Sequence, residues 1–261
     1  DGKTLTCRRD DHLHHWTPHL DCPSAESVYD QTHGLFTTYT DLLADRGLTL
    51  PDHVVRTWLY VRDIDTHYAG MVDARRELFT THGLTPTTHY VASTGIEGTS
   101  ANPRVGVFMD AYAISPLDPE QIQYLKASEH LSPTDVYGVT FERGTAIHYP
   151  DRTHVTISGT ASIDTEGTIL HAGDLSRQMD RTLENIEALL AEAGTSLESM
   201  QVFTVYLRHD SDRAYAEWRM RERFADTPII VVTGSVCRPG WLIEVEGLAV
   251  VRSTNPDLPP F

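Results

Sequence analysis

The chain has 261 residues, 40% hydrophobic and 22% charged, the balance of an ordinary globular protein of one large or two medium domains. A formal net charge of −16 excludes a general nucleic-acid binder, which needs a basic surface; an anion site remains open wherever several Arg side chains line one cleft. Cys7, Cys22 and Cys237 are widely spaced and form no CxxC pair, which points to free thiols and a cytoplasmic protein, and no run of about eighteen apolar residues is present, which excludes a membrane-spanning helix. The opening residues carry no basic segment followed by an apolar stretch, so no secretory leader is expected.

In chain order, residues 1–28 are expected to supply a first hairpin, on a weak signal. The "HLHH" at His12 to His15 has no carboxylate or Cys at a ligand-like spacing, so it reads as a surface or strand-end segment and no metal is expected. From Tyr29 a helix carries Leu35, Phe36, Tyr39, Leu42 and Leu43 at helical spacing and stops at Gly47, a left-handed C-cap. The strand "VVRTWLYVR" follows, then "DID" with Asp as N-cap of a second helix bearing Tyr68, Met71 and Phe79, then the strand "RVGVFMDAYAI". Residues 115–135 are proline-containing and read as a linker. "THVTISGTASID" and "GTILHAG" read as two strands turning at Asp164 to Gly167.

From Ser176 the first pattern returns. Gln178 matches Gln31, Leu189/Leu190 match Leu42/Leu43, Gly194 matches Gly47, and "YLRH" matches "YVRD". Such a duplication mis-assigns the fold if it is missed. Each copy reads β-β-α-β-α-β with both helices on one face of a sheet, an α+β sandwich. Two such units are expected to pack as one body, residues 1–135 forming a degenerate half with its linker and 136–261 the half with the reactive cluster. Arg62 and Arg208 end matching strands in both copies and read as structural.

The last strand of the second copy, "LIEVEGLAVV", places Glu244 and Glu246 on one face and apolar neighbours on the other. Spacing alone allows both to be solvent-facing; a carboxyl shielded on the concave side of a sheet would suit a general acid. Cys237, alone, reads as a small buried hydrophobe, while the adjacent Arg238 would favour its thiolate.

The second copy resembles the RidA/YjgF-like family of small trimeric enamine/imine deaminases, through Ser158–Gly159, the "GD…Q…TL.NI..LL..AG" pattern from Gly173 to Gly194, and "IEVEG". That family places a cleft arginine soon after a proline; "TPIIVVTGSVC" has Ile230 there, which speaks against imine deamination. The duplication with this departure resembles the chorismatases, RidA-like enzymes that release pyruvate from chorismate, through "DVYGVTFERGT", "SGTASID", "HAGDLSRQ" and "CRPGWLIEVEG". Cys237 standing seven residues before Glu244, with Gly159 in "SGTAS", resembles the 3-hydroxybenzoate-forming branch. The resemblance implies tandem RidA/YjgF-like (chorismate-mutase-like) units without cofactor or metal, and chorismate as the small-molecule partner. No nucleic acid or membrane is implied, and monomer and trimer are both left open. It further implies that Glu244 protonates the enolpyruvyl methylene and that Cys237 steers the ring chemistry, either by excluding water or by adding to an epoxide-like intermediate. For the two substrate carboxylates Arg143 is the first choice and Arg238 the second, with Tyr90, Tyr137 and Arg104 as further donors and Gly159 lining the site. The alternatives are a chorismate hydrolase giving a dihydroxycyclohexadiene carboxylate, a RidA-like imine deaminase, and a non-catalytic ligand-binding protein.

Overall fold

The computed structural model describes residues 4–261, the side chain of Tyr137 excepted. In the first half, β1 (Leu5–Arg9) and β2 (His12–Asp21) form a hairpin. They lead into α1 (Val28–Ala44), the one-turn α2 (Leu50–His53), β3 (Val54–Val61), α3 (Ile64–Thr81), β4 (Ala92–Glu97) and β5 (Val107–Ser115). In the second, β6 (Ile122–Leu125), β7 (Gly144–His148) and β8 (Arg152–Thr160) precede α4 (Leu175–Glu192), β9 (Met200–Leu207), α5 (Arg213–Arg223), β10 (Ile229–Thr233) and β11 (Ile243–Arg252). The sheets run β1-β2-β5-β3-β4 and β10-β9-β11-β8-β7-β6, so the duplicated sequence folds twice into one strand order. The α+β expectation holds, with a strand added to each unit: β4 and β10 lie parallel to β3 and β9, which a helical crossover allows.

Several local readings are corrected. The second-half hairpin is β7–β8, turning at Tyr149 to Asp151, not at Asp164 to Gly167. The later turn exists, held by the Asp164 carboxylate accepting from the backbone N–H of Glu166 and Thr168, but only the Ile163–Ile169 bridge follows it. The segment read as linker contributes β6, which pairs with β7. Asp63 and Asp212 occupy the N-cap positions of α3 and α5 without a side-chain capping bond, whereas Ser27 and Asp174 cap α1 and α4. Gly47 and Gly194 do take the left-handed conformation, at φ +71° and +73°. The histidines of "HLHH" are not on the surface. Because β2 lies between β1 and β5, His12, His14 and His15 are buried, and their rings meet Gln121, Tyr112 and Ser115.

Leu35, Phe36 and Phe79 of the first-half helices pack on Leu59 and Val61 of β3, and Leu183, Ile186 and Leu190 of α4 pack on Val205 and Val245. Alternation along the strands then turns Arg56, Trp58 and Tyr60 of β3, and Glu244 and Glu246 of β11, to the opposite sheet faces, away from the helices. The halves meet where the outer edge of β4 is stitched to the second half. Glu142 N–H donates to Val91 O, Glu97 N–H to Ser235 O, Ser93 N–H to Ser158 Oγ, and Gly159 N–H to Thr94 Oγ1. No helix among the described residues is long and apolar enough to cross a membrane.

Candidate active site

Neither strand glutamate faces solvent: Glu244 is 4% exposed and Glu246 is also buried. Beside Glu244 runs β8, where a Cβ on Gly159 would stand 1.9 Å from Glu244 Oε1. The glycine is therefore what makes room for the carboxyl group. Glu246 is fully engaged. It pairs with Arg56 Nη2 at 2.7 Å and accepts from Thr94 Oγ1, from Trp58 Nε1 at 3.2 Å and from Tyr206 OH at 2.9 Å. Burial, and next the negative charge of Glu246, push the Glu244 carboxyl up to about 8 against the opposing pull of Arg56 and Arg143. Two carboxyl groups on one strand face are thus given different work, one engaged by four donors and one kept protonated near neutral pH.

Glu244 opens onto a narrow cavity of about 30 Å³ at the junction of the halves. The second half contributes Gly159, Cys237, Arg238 and Trp241, the first half Tyr68, Arg75 and Ser93. Phe141 and Arg143, from the segment before β7, complete the wall. Arg143 is buried, donates from Nη2 to Ser132 O, and lies 5.3 Å over the Phe141 ring. Arg238 donates to Gly167 O and lies 5.0 Å over Trp241. Cys237 packs against the cores of both halves. Its thiol is not drawn toward thiolate by Arg238: burial first, and Glu244 second, push it up to about 12 despite a hydrogen bond with Tyr68 and the Arg238 charge.

Five of the residues singled out in the sequence thus meet at one cavity: Glu244, Cys237, Arg143, Arg238 and Gly159. Tyr90 lines a neighbouring pocket that shares Arg143. Arg104 is exposed in the loop before β5 and borders neither pocket. Tyr137 ends a short 3-10 turn, and its side chain lies outside the described residues. Arg62 and Arg208 brace loops through backbone carbonyls, Ser100 and Val105 for one and Val236 and Trp241 for the other. Ile230 is 52% exposed on the open edge strand β10. Among the described residues no group of His, Cys, Asp and Glu is arranged to hold a metal.

Sequence reasoning missed Arg75 and Arg56. Arg75 is 2% exposed and donates to Thr140 Oγ1 and Ser93 Oγ. Its signal was present: Tyr68, Met71, Arg75 and Phe79 share one helical face, and a cation on an otherwise apolar face needs a buried partner.

A family model for Endoribonuclease L-PSP matches residues 145–251. A RutC family protein of Pyrococcus abyssi is 36% identical over 95 residues, which are 36% of this chain and 75% of that protein. The 3-aminoacrylate deaminase RutC of Acinetobacter baylyi is 31% identical over 37% of this chain and 79% of its own length. The chain belongs to the RidA/YjgF family. Within this RidA/YjgF protein the duplication also has a structural counterpart. A chorismatase crystal structure superposes over 95% of the chain and 78% of its own, with a TM-score of 0.78 at 22% identity, so the tandem arrangement is the chorismatase fold. A 3-hydroxybenzoate synthase of Streptomyces hygroscopicus is 35% identical over 106 residues, 37% of this chain; the match spans 31% of that relative's length.

Proposed function

We propose that this RidA/YjgF protein is a chorismatase that converts chorismate to 3-hydroxybenzoate and pyruvate. The observation that carries the reading is Glu244: a buried carboxyl pushed up to about 8, set in a junction cavity whose wall holds Arg75, Arg143 and Arg238. A proton donor among cations suits a substrate with two carboxylates and an acid-labile enol ether. Glu244 delivers its proton to the enolpyruvyl methylene. The electron pair of the bond between ring carbon and ether oxygen then becomes part of the pyruvate carbonyl. The oxygen of the neighbouring hydroxyl bonds to the ring carbon that lost the ether and its original C–O bond breaks, its own proton being released and regained in the process. The ring loses the C–H proton of the carbon that now bears oxygen as it becomes aromatic. One proton enters and one leaves, so no net water is consumed, and the products together are isomeric with chorismate. Cys237, kept as a thiol beside Glu244, supports the water-excluding role rather than thiolate attack.

The test is direct. The protein is incubated with chorismate, pyruvate release is coupled to a dehydrogenase, and the aromatic product is identified by chromatography. Pyruvate with 3-hydroxybenzoate is expected. Pyruvate with a dihydroxycyclohexadiene carboxylate would move the protein to the hydrolytic branch, and no pyruvate would overturn the reading.

A further inference from the structure

The sheet faces turned away from the helices line a second cavity, of about 420 Å³, that the chemistry above does not use. Its wall is aromatic. Trp16 stacks on Tyr112 with centroids 4.1 Å apart and lies near-parallel to Trp58 at 6.5 Å. Trp16 is nevertheless 43% exposed, an open flat face.

His14 lines the same space and is 5% exposed. Its Nδ1 is 2.7 Å from Tyr112 OH, while its Nε2 has no hydrogen-bond partner among the described residues. A buried polar atom left unmatched is costly, and the ring that carries this one lines the cavity. The charges on the wall are also unbalanced. Glu246 is paired with Arg56, and burial holds His14 and His154 below the usual imidazole range. Arg9 lines the cavity and makes no ion pair among the described residues. Register places these groups together: Cys7 opposes His14 and Leu5 opposes Trp16, so Cys7, Arg9, His14 and Trp16 share one sheet face.

We propose that this cavity binds a planar aromatic acid, its ring over Trp16, its acid group on Arg9 and a polar ring substituent on His14 Nε2. The site is separate from the Glu244 cavity, and the two have no lining residue in common. It does not depend on the chorismatase reading.

The probe is 1-naphthoate, titrated into the whole protein by calorimetry and by quenching of tryptophan emission. Saturable one-to-one binding is expected, equal in wild type and Glu244→Gln. Trp16→Ala and Arg9→Ala should each weaken it about tenfold, the worth of one stacking or one charge-assisted contact. The uncharged 1-naphthylmethanol should bind wild type and Arg9→Ala alike. Arg9 is exposed and Trp16 partly so, and unchanged melting curves check that both variants fold. Binding lost in Glu244→Gln, or kept in full by both Trp16→Ala and Arg9→Ala, would overturn the proposal. Dimers that Trp16→Ala dissolves would also overturn it, since this face would then be an interface between copies.

Discussion

β5 and β11 hold the same place in the two halves, and their registers against β3 and β9 align them residue by residue. Phe108, opposite Tyr60, stands where Glu244 stands opposite Tyr206, and Asp110 stands where Glu246 stands. On the neighbouring strand the glycine that accommodates Glu244 has His19 as its counterpart, whose ring packs on Phe108 at 4.6 Å. The cation runs the other way: Arg56 of the first half matches Val202 of the second. The outer strands differ as well. Thr94 on β4 is buried and hydrogen-bonded to Glu246, while its counterpart Ile230 on β10 is exposed. At these matched positions only the second half has an acid facing the tyrosine, and only the first half has a buried cation at the Arg56 position. Among the described residues the edge strand β4 is joined to the other half, while the matching edge strand β10 carries the exposed Ile230 where β4 has Thr94.

The widest gap between the halves lies at Glu244. Glu244→Gln should lower pyruvate release by about 10²–10⁴, the worth of a general acid, with melting behaviour retained. Adding Phe108→Glu to that variant should restore nothing, because no stitched edge strand covers Phe108; recovered activity would show that the halves are still interchangeable. Arg56→Met should destabilise by about 3–5 kcal/mol in denaturant titrations, since it strands Glu246 in the interior. Val202→Ala, at the matching position, should cost no more than about 1.5 kcal/mol. Equal losses would erase the asymmetry.

Gly159→Ala should lower kcat by about 10²-fold, because its Cβ would displace the Glu244 carboxyl and misplacement by an ångström is that costly. Rate and stability should also separate with pH. Folded Glu244 holds its proton to about 8, whereas the unfolded carboxyl releases it near 4.5. The unfolded state therefore binds fewer protons between these values, and stability contributed below 4.5 is lost as pH rises to about 8. Glu244→Gln should flatten that slope in melting curves, and wild-type kcat/KM should fall above about pH 8. The smallest rate effect is expected for Cys237→Ala. Pyruvate should still be released, with dihydroxycyclohexadiene carboxylate appearing beside 3-hydroxybenzoate, and a stability loss of about 0.5–3 kcal/mol. Product limited to 3-hydroxybenzoate at the wild-type rate would make Cys237 a packing residue.

What was legible in the sequence followed from local rules. α4 announced itself through Leu183, Ile186 and Leu190, and Gly47 and Gly194 marked helix ends because each needs a positive φ. Glu244 was legible as a polar residue in an apolar strand, joined to a family pattern. The rest depended on long-range contact. "ASTGIE" lacks the alternation of a strand, and β4 exists because β3 pairs one edge while the second half holds the other. Arg56 lay in a correctly read strand, but its partner Glu246 is 190 residues away. The buried histidines were misread because a central strand position cannot be told from an edge without knowing which strand pairs outside it.

The bond between Arg56 and Glu246 also makes activity a reporter of assembly. The two side chains belong to separately cored halves and pair across the junction, where both are buried. A chain with one half folded would carry an uncompensated charge at its raw face and lack Tyr68, Arg75 and Ser93, or else Glu244 itself. On the proposed chorismatase reading, neither half turns over substrate early, and misdocked chains stay silent. Regain of turnover during refolding should therefore lag the recovery of helix signal and coincide with the docking of the halves.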